Sequence, residues 1–518
     1  MLGICFYFQV HQPYRLRHYS YFDIGEKSRY EDSEANSAIM EKVASKCYLP
    51  MNNLLLELIE RHKGRFKVAF SFSGTVLDQF AVYAPEVLAS FQRLVNTECV
   101  EVLSETYNHS LAYLYSTEEF REQVALHRAK VQELFGVTPE VFRNTELIYS
   151  NAIAKEVENM GYKAILAEGA DNVLGWRSPN YVYRPQGCDT LKLLLKNYRL
   201  SDDIAFRFSN SDWPEYPLTA EKFAGWVHAV LGQGEVINLF MDYETFGEHQ
   251  WETTGIFQFM DVLPQFIMNH PDTAFMTPSE AVASLAPVAN LDVHSFMSWA
   301  DAERDLTAWL GNDLQDDAIS TLYSYEQAVK NSSNPALLKV WRNLQTSDHF
   351  YYMCTKWFSD GDVHKYFNPY PSPYDAYINY MNVLTDLSYR IDTAGHVFEP
   401  GLPGGGAAAA VRQIEKSEKT DKPAEPATKG RAQKPEKPAE KGRVKKPENP
   451  GVEEASPKPP AKTPKRESAG KAPAKKAAAP KTDSSGKATA TKATPASKAG
   501  SSGKRAAPAK KTSAKKGG

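Results

Sequence analysis

Short apolar or β-branched runs alternate with segments of helical periodicity over the first 280 residues, the pattern of repeated strand–helix units around a parallel sheet. The pattern predicts strands at 4–10, 66–72, 100–103, 140–142, 164–167, 236–241 and 274–276, with helices between them at 37–61, 118–134, 151–160 and 256–268. About seven such repeats favour a barrel, complete or slightly short of eight strands, over a doubly wound sheet. From 301 to 394 the strand signal disappears, and helical spacing at 316–329 and 335–344 predicts an all-helical part packed on the barrel. Aromatic residues crowd its middle, in His349-Phe350-Tyr351-Tyr352 and Trp357-Phe358. Such a cluster reads first as core, although a sugar site would use it too.

Near Pro400 the chain changes character, which the average composition hides. Residues 411–518 carry 29 Lys+Arg against 11 Asp+Glu, a net of +18, while the rest of the 518 residues carry 31 against 52, a net of −21. Beyond Gly401 the only residue among Phe, Tyr, Trp, Leu and Met is Leu402. A segment so poor in apolar surface cannot offset its ordering entropy, and its repeated prolines and like charges predict an extended, disordered Lys/Ala/Pro-rich tail over 401–518. The chain is thus expected to comprise a barrel at 1–290, a helical subdomain at 291–400 that completes the cleft, and the tail. Five dispersed cysteines without a C-x-x-C pair read as reduced, buried thiols. The apolar N-terminus lacks a basic flank and a cleavage site, and no stretch is long enough to cross a membrane, so a cytoplasmic protein with no membrane partner is expected.

Several predicted strands run straight into polar residues. The apolar run Val236-Ile237-Asn238-Leu239-Phe240 leads to Asp242-Tyr243-Glu244, and Val141-Phe142 leads to Arg143-Asn144-Thr145-Glu146. The first strand delivers His11-Gln12-Pro13 and the third Glu105-Thr106-Tyr107-Asn108-His109. Charges where a parallel strand leaves the core are costly to desolvate, and all C-terminal strand ends of a parallel barrel open on one face, so a polar hydrolase site is expected there. An ion pair with Arg143 or Arg207 is the structural alternative for these carboxylates. Trp176 and Trp251 fall in loops after barrel strands, where they could stack on sugar rings or simply pack.

These segments, with Ser347-Asp348-His349-Phe350-Tyr351-Tyr352, make residues 1 to about 390 resemble glycoside hydrolase family 57, enzymes acting on α-glucans. Five motifs in the family's order carry the resemblance: His11-Gln12-Pro13, 105–109, Asn144-Thr145-Glu146, Asp242-Tyr243-Glu244-Thr245-Phe246-Gly247 and 347–352. It implies an incomplete (β/α)7 barrel with a helical region behind it, a retaining mechanism, Glu146 as nucleophile and Asp242 as general acid/base, with no metal or other cofactor. His11, Gln12, Glu105, His109, Arg143, Asn144, Trp176, Arg207, Glu244, Trp251, Asp348 and His349 are the candidate substrate-binding residues. A retaining pair needs its carboxyl groups about 5–5.5 Å apart. Arg143 and Asn144 are close enough in sequence to keep Glu146 ionised, while desolvation and the charge of Glu244 would raise the pKa of Asp242. Asp242 and Glu244 share one strand face by the period of two, so spacing alone leaves open which donates the proton; the resemblance favours Asp242.

The expected activity is endo-hydrolysis of α-1,4-glucans, with 4-α-glucanotransfer second. Branching enzymes of the family begin with His-x-His and Leu-Pro, which this chain replaces by His11-Gln12-Pro13. A metal-dependent carbohydrate deacetylase, with His11, His109 and Asp242 as ligands, is the rival reading, but no H-x-H, H-x-x-x-H or H-E-x-x-H spacing supports it. Independently, the basic tail could bind DNA or another polyanion by counterion release, or serve only as a solubilising appendage.

Overall fold

In the computed structural model, residues 1–356 and 368–393 are described. Trp357, Phe358, the last residues of the expected helical subdomain and the expected tail at 401–518 lie outside the described residues. Eight parallel strands form the main sheet: β1 (Leu2–Val10), β2 (Val68–Phe72), β3 (Val100–Leu103), β4 (Val141–Arg143), β5 (Ala164–Glu168), β6 (Lys192–Lys196), β7 (Val236–Asp242) and β8 (Thr273–Phe275). Their order is β3-β2-β1-β7-β6-β5-β4, with β8 paired to the start of β1. Ser104 joins the two ends of this row, donating to Val141 O (2.9 Å) and accepting from Arg143 N (2.8 Å). The result is a nearly closed seven-stranded barrel, as the motifs imply.

Two of its joints are thin. β7 and β6 share one registered pair, Lys196 with Asn238, and β3 meets β4 only through Ser104 and Phe142. Every other neighbouring pair is registered over at least three residues. At the first joint the Asn238 amide donates to Leu195 O (2.9 Å), a side chain doing what a ladder bond does elsewhere.

The strands are buried on both faces, which explains their unbroken apolar runs. Inside the barrel, Cys5, Tyr7, Ala69, Leu103, Val141, Leu166, Leu194 and Phe240 pack together. Outside, one apolar layer covers β1, β2, β3 and β7, and another covers β4–β6 and continues into the helices that follow the barrel. β6 is not predicted by the sequence, because Lys-Leu-Leu-Leu-Lys is too short for its periodicity to separate strand from helix. The expected helix at 37–61 is three segments, Ser33–Val43, a π-helical turn at Ala44–Tyr48, and Leu49–Arg61. Pro50 has no N–H to donate, and the π turn just before it directs Tyr48 toward the barrel mouth. Helices Asp313–Ser324, Glu326–Asn331, Pro335–Asn343, Ser347–Tyr351 and Pro373–Asp392 form the helical part. All five cysteines are free and buried, and no helix among the described residues is long and apolar enough to cross a membrane.

Candidate active site

Glu146 leaves β4 in an unusual way. It sits at φ 57°, ψ 23°, and Leu147 follows at φ 52°, two left-handed residues neither of which is glycine. Each such residue costs about 1–2 kcal/mol, which the surroundings must over-determine. Here Asn144 Nδ2 donates to Ile148 O (2.9 Å), the Thr145 and Thr106 hydroxyls meet at 2.8 Å, and Trp299 N donates to Glu146 O (3.2 Å). The strained turn sends the carboxylate into a cleft at the C-terminal end of the barrel, where active sites of this architecture lie.

Glu146 and Asp242 line that one cleft together with His11, Gln12, His109, Arg143, Glu244 and Asp348. Asp242 ends β7; Glu244 lies in a following single turn of 3-10 helix, not on the strand face expected for it, yet both reach the same space. The loop beyond is locked at Gly247, φ +104°, where a Cβ would stand 1.9 Å from Lys46 O.

Three side chains from remote segments meet the Glu146 carboxylate. Trp299 Nε1 donates to its Oε2 (2.7 Å), His109 Nε2 approaches its Oε1 (3.2 Å), and Ser347 Oγ lies 3.5 Å from the same oxygen. Arg143 lies 3.6 Å from Glu105 through Nη1, with its guanidinium 5.0 Å from the Trp299 ring. His109 Nδ1 meets Glu105 Oε2 at 3.0 Å, so the imidazole bridges two carboxylates. Burial opposes its charge, but the two hydrogen-bonded partners prevail and raise its pKa to about 9. For Glu105, burial is likewise outweighed by His109 and Arg143, and its pKa falls to about 2. A chain of alternating charges, Arg143, Glu105, His109, Glu146, thus runs from the barrel interior to the cleft.

His11 stacks on His109 with centroids 3.9 Å apart and meets Ser73 Oγ (2.7 Å) and Asp348 Oδ2 (2.9 Å). Burial and then the charge of His109 lower its pKa. Both ring nitrogens of both imidazoles are therefore engaged by oxygen partners. Across the cleft, burial and then the charge of Asp242 raise Glu244 to about 8, although Tyr48 and Gln12 (3.3 Å) donate to it.

The other candidates lie elsewhere. Glu105 is buried behind His109, and Asn144 serves the turn that carries Glu146. His349 faces Tyr380 in the helical core, where burial takes its pKa down to about 4. Arg207 pairs with Asp203 (2.6 Å), Trp176 is 90% exposed, and Trp251 is 57% exposed in a separate groove beside Leu54, Arg61 and Phe257. None of these six lines the cleft. Gln9, Arg15, His249, Trp299 and Tyr352 do, and sequence reasoning missed them. Tyr352 closes the quoted motif 347–352 without being assigned a role there, and Gln9, Arg15 and His249 lie two residues from a quoted motif, so a wider window would have caught them. Trp299 sits in an irregular segment after the barrel, and no local pattern marks it.

Residues 5–294 match Glycosyl hydrolase family 57. A Methanocaldococcus jannaschii protein described as "Putative alpha-amylase" is 46% identical over 404 residues, spanning 75% of this chain and 84% of that protein. Among solved structures, a branching enzyme of Thermococcus kodakaraensis is similar with TM-score 0.55 at 14% identity, over 80% of this chain and 94% of its own. The 4-alpha-glucanotransferase of Thermococcus litoralis gives 0.53 at 15%, over 67% of this chain, which spans 56% of that longer enzyme. At these identities the two structures speak to the fold alone.

Proposed function

Because the chain belongs to glycoside hydrolase family 57, we propose that it hydrolyses α-1,4-glucosidic bonds of starch- or glycogen-type glucans and maltooligosaccharides with retention. Glu146 is the nucleophile and Asp242 the general acid/base. The observation that carries this reading is the treatment of Glu146: a buried carboxylate, one oxygen facing the His109 imidazole and the other an indole N–H, opening on a cleft that Asp242 shares. Donors on both oxygens favour the ionised form, which a nucleophile requires.

In the first step Glu146 attacks the anomeric carbon while Asp242 gives its proton to the departing glycosidic oxygen. In the second, Asp242 takes a proton from water, whose oxygen displaces Glu146 and restores the α-configuration. Burial and the adjacent Asp242 raise Glu244 to about 8, so the two neighbouring carboxyls do not both ionise at neutral pH and the pair keeps a proton to give. Asp348 and Tyr352 come from the helical part and line the cleft, which supports treating residues 291–400 as a part of the catalytic unit. The name of the Methanocaldococcus jannaschii relative favours hydrolysis over transfer.

The test is incubation with maltoheptaose and soluble starch, following product lengths and anomeric configuration. Wild type should yield shorter, α-configured products, and Glu146→Gln and Asp242→Asn should each lose several orders of magnitude in kcat. β-configured products would refute retention, and products longer than the substrate would point to 4-α-glucanotransfer.

A further inference from the structure

We propose that Trp299 is a positioning residue for the nucleophile, its indole N–H fixing the plane and the charge of the Glu146 carboxylate; this rests on the assignment of Glu146 above. Trp299 makes two bonds to the same residue, Nε1 to Oε2 at 2.7 Å and backbone N to the carbonyl at 3.2 Å, so side chain and backbone of Glu146 are held by one partner. Two cations stand over the ring itself, the Arg143 guanidinium at 5.0 Å and the Lys196 ammonium at 5.3 Å from its centre.

The segment that carries it is built for rigidity. Asp301 and Arg304 are both left-handed, at φ 53° and 55°. Ser298 N donates to Arg304 O (3.0 Å), Ser298 Oγ to Asp305 O (2.6 Å), and Arg304 Nη1 returns to Trp299 O. Arg304 then reaches Glu168 (3.7 Å) and Asp202 (3.5 Å), the same two carboxylates that hold the buried Lys196. These four charges take no part in the cleft. Their place behind the indole explains why so much buried charge is gathered there: it anchors the Trp299 segment to β5, β6 and the helix Tyr198–Ala205.

Other ionisable groups also act on Glu146. His109 and Glu105 approach from the loop after β3, Arg143 from β4, and Asp242 and Glu244 from the end of β7, with Lys196 beyond the ring. His11 and Asp348 lie on the far side of His109. Trp299 differs from all of them in being a neutral donor, so its removal leaves every formal charge in place.

The test is Trp299→Phe, and alongside it site-specific replacement of the indole by its benzothiophene analogue, which keeps the ring and removes only the N–H. The pH profile of kcat/KM for maltoheptaose is measured for both, with Glu146→Gln as reference. Loss of a donor to a carboxylate raises its pKa, so the acid limb should move up by about one pH unit. At the optimum, kcat should fall by about 10- to 100-fold, the range for one hydrogen bond to a charged group, with KM within about threefold. An acid limb that stays in place in the analogue-bearing protein overturns the proposal, whatever activity is lost. Substantial activity in Glu146→Gln would instead overturn the nucleophile assignment, and this inference with it; an inactive Glu146→Gln beside an unmoved limb sinks the role of Trp299 alone.

Discussion

His109 is buried between Glu105 and Glu146 at 3.0 and 3.2 Å, and its pKa stands at about 9 against an ordinary 6.5. The folded protein therefore binds this proton more tightly than the unfolded chain does. A difference of about 2.5 pH units, at about 1.36 kcal/mol each, amounts to roughly 3 kcal/mol of stability. The lowered pKa of Glu105 reflects the same interaction seen from its partner and adds nothing further. Because the folded value is the raised one, the contribution is complete below pH 6.5 and is lost as pH rises through about 9. The perturbation is His109→Asn, since asparagine tolerates the left-handed backbone that His109 adopts at φ 51°. Urea unfolding of both proteins from pH 6 to pH 10 gives the difference in stability, in which the titration of unrelated groups cancels. Wild type should hold its largest advantage at pH 6, and that advantage should shrink by about 3 kcal/mol by pH 10. A difference that stays constant across this window would show that His109 is not an imidazolium in the folded state.

Three further outcomes are expected. Gly247→Ala should destabilise by about 2 kcal/mol or more in thermal unfolding and reduce kcat, because the added carbon would collide with Lys46 O in the loop that follows Asp242. Tyr48→Phe removes the hydroxyl donated to the buried Glu244 carboxyl and should cost about 1–3 kcal/mol, read by urea unfolding. Leu194→Ala opens a cavity inside the barrel and should cost about 2–5 kcal/mol by the same assay.

Much of this architecture was legible in the sequence because burial on both faces makes parallel strands read as apolar runs, and because His11 and Asp242 stand directly after one, with Glu146 three residues beyond β4. β6 was lost where a three-leucine run between lysines carried no period. The site was legible where chemistry follows a strand and illegible where it comes from irregular backbone. Trp299 is the clearest instance: its role depends on a loop shaped by Arg304, Glu168 and Asp202, which are remote in sequence from one another or from the residue they support. The hydrogen bonds that Trp299 and His109 make to Glu146 were illegible for a related reason, since both come from remote segments. Asn144 turns its amide to Ile148 O inside the left-handed turn, and sequence proximity says nothing about that direction.

The two thin joints divide the cylinder into slabs, β4-β5-β6 on one side and β3-β2-β1-β7 on the other. Glu146 is mounted on the first slab and Asp242 on the second. Their separation therefore depends on how the slabs meet, at Ser104, at Asn238 and through the shared barrel interior, as well as on the geometry of each one. Substitutions at those two seams are where the gap between the two proposed catalytic carboxyls could be retuned without touching either side chain.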